Sequence, residues 1–283
     1  MQVTQANSFD GNGEALVIVN QIAAVVDEIL PGEPPFGDRE IHVTLDDRKR
    51  AVPHVRWEKQ DHAADVYRIT LKGKADAWYQ VIYEGFCRTL PLAPGNLRGV
   101  RKESHQWQEL AFQLSHELTH VKLGPARSNL PLEVLATSVS LETLHRLESV
   151  WKKQPPRMSQ GTYRAKRSFR EFHNALVDHA NETLPRGDDF GPSLPAGADK
   201  ETLLKHWRRH VDALPLWDLR SRAWQMLAAD WLLDEWRAAQ RQREELIGLA
   251  VHTFPSAWDD RTYRDDLPLV SDVVPLWWPQ WMR

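Results

Sequence analysis

Thiols are almost missing from this 283-residue chain, whose one cysteine is Cys87. No intrachain disulfide can form, and no CxxC or zinc-knuckle spacing exists. Cys87 itself reads as a small buried apolar residue rather than a nucleophile. A dominant sign of charge is missing too. The net charge of -3 gives no electrostatic case for a nucleic-acid partner. No apolar run approaches the roughly 20 residues that span a bilayer, which argues against a membrane partner. Residues 1–13 are polar, without the charged start and apolar core of a signal peptide. They read as a disordered N-terminus, and the expected compartment is the cytoplasm. The length suits one large domain or two small ones.

Tryptophan, by contrast, is abundant, with 13 residues. Most come late in the chain, among them Trp207, Trp217, Trp224, Trp231 and Trp236, with Trp277, Trp278 and Trp281 in the tail. At helical spacing such residues are usually core. An aromatic groove for carbohydrate or peptide is the weaker reading.

The most specific feature is the string His116-Glu117-Leu118-Thr119-His120. On a helix, two histidines four apart can hold one zinc ion, and the glutamate between them can act as a base. The helix itself is well supported. Residues 107–121 contain no Gly or Pro, and apolar residues fall at Trp107, Leu110, Ala111, Leu114, Leu118 and Val121. At about 100° per residue these six lie within an arc of roughly 100°. His116 and His120 then point away from that stripe, side by side, with Glu117 off to one side of the pair. A core histidine would sit on the stripe.

Gly124-Pro125 should end this helix, and Pro131 fits the first turn of the next, read as 132–147. Glu133 stands out in the apolar stretch Pro131-Leu-Glu-Val-Leu-Ala136. A buried carboxylate is costly unless paired or bound to metal. A chain reversal at the turn would bring Glu133 back to the histidine face. Two His and one Glu with an open fourth position make a catalytic zinc set. Two bland alternatives stand beside that reading. A carboxylate in a first helical turn is favoured by the helix dipole alone. Glu142 is a fallback ligand, further along and read as solvated.

These residues resemble the zincin metallopeptidases of the gluzincin type, which pair HExxH with a Glu from the next helix. Leu114-Ser-His-Glu-Leu-Thr-His-Val121 is similar to the active-site helix, and Leu132-Glu-Val-Leu-Ala-Thr-Ser-Val-Ser140 to the Glu-bearing one. The resemblance covers residues 107–147. It implies Zn2+ held by His116, His120 and Glu133, Glu117 as general base, and a peptide or protein substrate. It also implies an edge strand, at 65–72 or 77–84, that lines the cleft and pairs with an extended peptide. An oxyanion-stabilising Tyr or His should come from the later helical region, where Tyr163, His173 and His179 are candidates. Many relatives carry an acidic residue four positions after the ligand Glu; here it is Thr137.

The expected fold is α+β. A zincin-like catalytic domain spans 14–150, with a helix at 14–30, strands at 39–45, 52–57 and 66–71, the HExxH helix and the Glu helix. A mostly helical, Trp-rich region follows at 151–283, with helices at 170–184, 200–214 and 218–250 and an extended tail. Residues 152–170 are basic and read as a solvated face. His206 and His210, four apart but flanked by Arg208 and Arg209, read as a surface pair, as do His173 and His179. The expected function is zinc-dependent peptide hydrolysis. The alternatives are a degenerate zincin acting as a binding or regulatory module, and a zinc hydrolase of a non-peptide amide.

Overall fold

The computed structural model describes residues 3–5, 13–30, 40–46, 53–58, 66–72, 106–123, 130–154, 157–158, 161–162, 169–184, 198–210 and 219–238. The readings made above for Cys87, 77–84, Gly124-Pro125, Tyr163 and the tail lie outside them.

The described residues are α+β and mostly helical. The strands are β1 (Val3–Gln5), β2 (Glu40–Asp46), β3 (His54–Glu58), β4 (Val66–Lys72), β5 (Arg157–Met158) and β6 (Gly161–Thr162). The helices are α1 (Gly13–Ile29), α2 (Gln106–Leu123), α3 (Leu130–Lys153), α4 (Phe169–Thr183), α5 (Lys200–His210) and α6 (Leu219–Ala238). No helix among the described residues is long and apolar enough to cross a membrane.

One sheet has the order β1-β2-β4-β3, and β5-β6 form a separate two-stranded pair. β1 and β2 are parallel, as are β2 and β4, whereas β3 is antiparallel to β4. Alternation sets the buried face of the sheet. Tyr67, Ile69 and Leu71 of β4 are buried, and Ile41 and Val43 of β2 stand opposite Tyr67 and Ile69 in the ladder. Two expectations change here. Val3–Gln5 forms a strand inside the segment read as disordered, because β2 offers it a free edge to pair with. The strand read as a cleft edge at 65–72 is β4, which has neighbours on both sides. Among the described residues the antiparallel edge strand is β3.

α3 is longer than the sequence suggested. Leu144, Leu147 and Trp151 continue its buried stripe, so the helix runs until Pro155-Pro156 forces it to stop. Trp151 donates its indole N–H to Gln21 of α1 at 3.0 Å and meets Phe169 edge to face. α5 starts at an Asp cap, where Asp199 Oδ1 accepts from the Thr202 amide at 2.9 Å.

The apolar core is continuous from α1 through the sheet, α2 and α3 to α4 and α6, so it does not stop at the position near 150 where composition shifts. Trp224 and Trp231 lie in it, as their helical spacing predicts. His206 stacks flat on Trp224, with ring centroids 5.4 Å apart.

His173 and His179 are buried, not a surface pair. His173 Nε2–H donates to Asp230 Oδ1 at 2.8 Å, which leaves Nδ1 to accept from His145 Nε2–H, also at 2.8 Å. This chain of bonds ties α4, α6 and α3 together. Burial, together with the charges of Arg237, His173 and Arg170 and against the opposing charge of Glu142, lowers the His145 pKa to about 4. The unfolded chain therefore binds a proton at His145 near pH 6.5 that the folded chain refuses until about pH 4. Stability contributed by a neutral His145 is full above that window and is lost as the pH falls through it. Urea midpoints measured at falling pH should decline more steeply for the natural protein than for His145→Gln. Parallel declines would remove His145 as the source.

Candidate metal centre

α2 is buried on more than its apolar stripe. Leu110, Ala111, Leu114, Leu118 and Val121 are buried as expected, but so are Gln108, Ser115 and Thr119 on another face. α1, the sheet and α3 all pack against the helix. Hydroxyl back-bonding makes the polar face tolerable. Ser115 Oγ donates to the Ala111 carbonyl at 2.5 Å, and Thr119 Oγ1 to the Ser115 carbonyl at 2.7 Å. Ser140 and Thr143 do the same on α3. Lys122, also buried, pairs with Asp27 of α1.

Among the described side chains of α2, only those of His116 and His120 are not fully buried. His116 and His120 side chains are 17% and 13% exposed, and Glu133 is 20% exposed. Glu133 belongs to the first turn of α3, and α3 packs closely on α2. Glu133 Oε2 is 3.1 Å from His116 Nε2, and Oε1 is 3.5 Å from His120 Nε2. The two Nε2 atoms are 3.2 Å apart. One donor atom from each of these three residues lies within 4.8 Å of the others, and among the described residues this is the single cluster of three or more His, Cys, Asp or Glu that could hold a metal ion. Two imidazoles and one carboxylate suit a borderline divalent ion. The set fits a metal because one donor atom from each of the three residues converges on a single point.

Electrostatics separates the two histidines. Burial pushes His116 down, but its hydrogen bond to Glu133 and the charges of Glu133 and Glu117 outweigh that, so its pKa is raised. Burial lowers His120 to about 4; Glu133 opposes this and His116 adds to it. Glu117 is 5% exposed. Burial pushes its carboxyl up to about 7, with Glu133 adding to the rise and His116 opposing it. A carboxyl near neutrality suits proton transfer in both directions.

The other sequence candidates fall elsewhere. Glu142 is not solvated: it accepts from Arg146 Nε at 2.9 Å and Arg237 Nη2 at 2.7 Å, an ion-paired role away from the histidines. Burial pushes its pKa up, and the bonds to Arg146 and Arg237 outweigh burial to hold it below the usual carboxylate range. His173 is committed to Asp230 and His145. His145 lies twelve residues beyond Glu133 on α3, about 18 Å along the axis, so His173 is remote from the cluster. Thr137 is buried one turn after Glu133.

Two residues near the cluster carried no sequence signal. Gln113 precedes His116 by almost one turn and is buried, with neither amide atom hydrogen-bonded. Arg222 of α6 is half-buried, and its charge is felt at His116 while Glu133 acts on it in turn. No local pattern marks either one. Arg222 is legible only once α6 is laid against α3. Set beside family models, curated proteins and solved structures, the chain matches none of them.

Proposed function

We propose that the chain is a zinc-dependent peptidase of the gluzincin kind. The observation that carries this reading is Glu117, a buried carboxyl raised to about 7, on the same helix as a converging pair of histidines that meet Glu133. A structural metal site needs no such group beside it. The placement of α2 against a small mixed sheet whose outer strand β3 is antiparallel supports the same reading.

His116, His120 and Glu133 would hold the ion. A divalent zinc ion there supplies Lewis acidity and makes a water molecule more acidic. Glu117 takes the proton of the water that attacks the carbonyl carbon. As the carbon–nitrogen bond breaks, the same carboxyl returns that proton to the leaving amine. Strand β3, with one side unpaired among the described residues, offers backbone groups to an extended substrate.

Zinc-loaded protein incubated with a mixture of unstructured peptides should generate new termini by mass spectrometry. A chelator should stop the cleavage and returned zinc should restore it. Cleavage that persists in chelator, or a chain that takes up no zinc, overturns the reading. The same donor set also serves iron, so metal analysis of the purified protein reads the ion directly. A loaded chain that releases amine from small amides but leaves peptides intact shifts the substrate class. One that hydrolyses neither is a binding or regulatory module, the reading that Thr137 favours, since an outer carboxylate normally orients a ligand histidine.

A further inference from the structure

We propose that Gln113 is the positioning residue for His116 in the metal-loaded site, where its side-chain carbonyl accepts a hydrogen bond from the outer ring nitrogen, Nδ1. The inference rests on the metal-site reading above.

Gln113 is 5% exposed, and both its amide atoms are closed off from solvent without a hydrogen-bond partner. Among the described residues it is the only side chain with both a donor and an acceptor unmatched. Leaving the two desolvated and unpaired is costly, and a state of the site that pairs them lowers that cost.

Helix geometry selects the neighbours that can do so. On α2, Gln113 precedes His116 by three residues and Glu117 by four. At about 100° per residue, Gln113 lies inside the arc of about 100° between His116 and Glu117, and about 20° from His120. It therefore shares the histidine face, almost one turn nearer the helix N-terminus than His116. Helical side chains lean back towards that end, so the His116 ring inclines over the turn that carries Gln113. Residues three apart have Cβ atoms about 5–6 Å apart, a gap that a glutamine side chain and an imidazole span together.

The protons of His116 complete the match. Its Nε2 is the atom that faces Glu133 and His120, so Nε2 is the atom that ligates. A neutral imidazole with Nε2 committed to a metal carries its proton on Nδ1. A ligand histidine donates that second N–H to an acceptor, which fixes the ring and raises its basicity. Among the described residues no hydrogen bond reaches Nδ1 of His116. The Gln113 carbonyl oxygen is an unmatched acceptor on the same face. With that oxygen turned to His116, the amide N–H end is on the side of Glu117, whose carboxylate accepts.

Zinc affinity of the full chain, read by competition with a chromophoric chelator, tests the assignment beside the melting temperature of the metal-free protein. Gln113→Met keeps the length of the side chain but has no strong acceptor. It should lower zinc affinity roughly 10- to 100-fold. The metal-free variant should melt no lower than the natural chain, because the amide it replaces is unpaired there. Gln113→Glu brings back an acceptor and should restore the affinity. Unchanged affinity in the methionine variant overturns the role of Gln113 and leaves the metal site intact. A metal-free methionine variant that melts lower or fails to fold makes Gln113 a packing residue, and failure of glutamate to restore affinity removes the hydrogen bond; either overturns the proposal. A natural chain that takes up no zinc overturns the metal reading and this inference with it.

Discussion

The natural protein should bind one divalent metal ion per chain, and Glu133→Ala should leave the chain unable to retain it. The carboxylate is the one ligand supplied by α3, and it touches both histidines, at 3.1 Å and 3.5 Å. Without it, two imidazoles on one helix remain, a set that holds zinc weakly. The loss should exceed the roughly 10- to 100-fold that removal of an outer-shell partner costs. Differential scanning with and without added zinc gives a second measure. Ligand that binds only the folded state stabilises it by about 2.7 kcal/mol at a hundred times its Kd. The natural chain should show that shift and Glu133→Ala should show almost none. An equal zinc shift in the two proteins would mean that the ion sits elsewhere.

Glu117→Gln should keep the metal and lose hydrolysis. The amide matches the carboxyl in shape, and Glu117 is not one of the three converging donors, so zinc uptake should match that of the natural chain. What goes is the proton acceptor. General-base catalysis contributes about 10²- to 10⁴-fold, and turnover of the best-cleaved peptide should fall by that factor while its KM changes little. The substitution also removes a group whose charged form burial disfavours, so stability should not suffer. Undiminished cleavage would take the base role away from Glu117. Lost zinc in this variant would place Glu117 among the ligands.

The parts of this site that follow a short-range code were legible in the sequence. The spacing of His116 and His120 is one helical turn, and the apolar stripe fixed which way they point. Glu133 was legible because a carboxylate in an apolar stretch needs a reason. Strands β2, β3 and β4 and helices α1, α2 and α4 followed from alternation, periodicity and breakers. The errors arise where distant segments decide the outcome. The burial of Ser115, Thr119, Ser140 and Thr143 was not anticipated, because it is set by the elements packed on α2 and α3; their hydroxyls bond back into their own helices. Glu142 looked solvated because Arg237 is 95 residues away in the chain. His173 looked like a surface residue because its partners, His145 and Asp230, sit on two other helices. β4 looked like an edge because pairing order is not written in a strand's own residues.

The bond from Ser138 to Ala229 spans 91 residues, and this gives the site a timetable. During synthesis His116, His120 and Glu133 leave the ribosome well before the helix that covers α3 exists. At that stage the side of α3 around Ser138, which α6 covers, has no lid. Closing so long a loop is slow compared with forming either helix. On the proposed metal-site reading, an ion captured early would pin α2 to α3 while the last third of the protein is still being made.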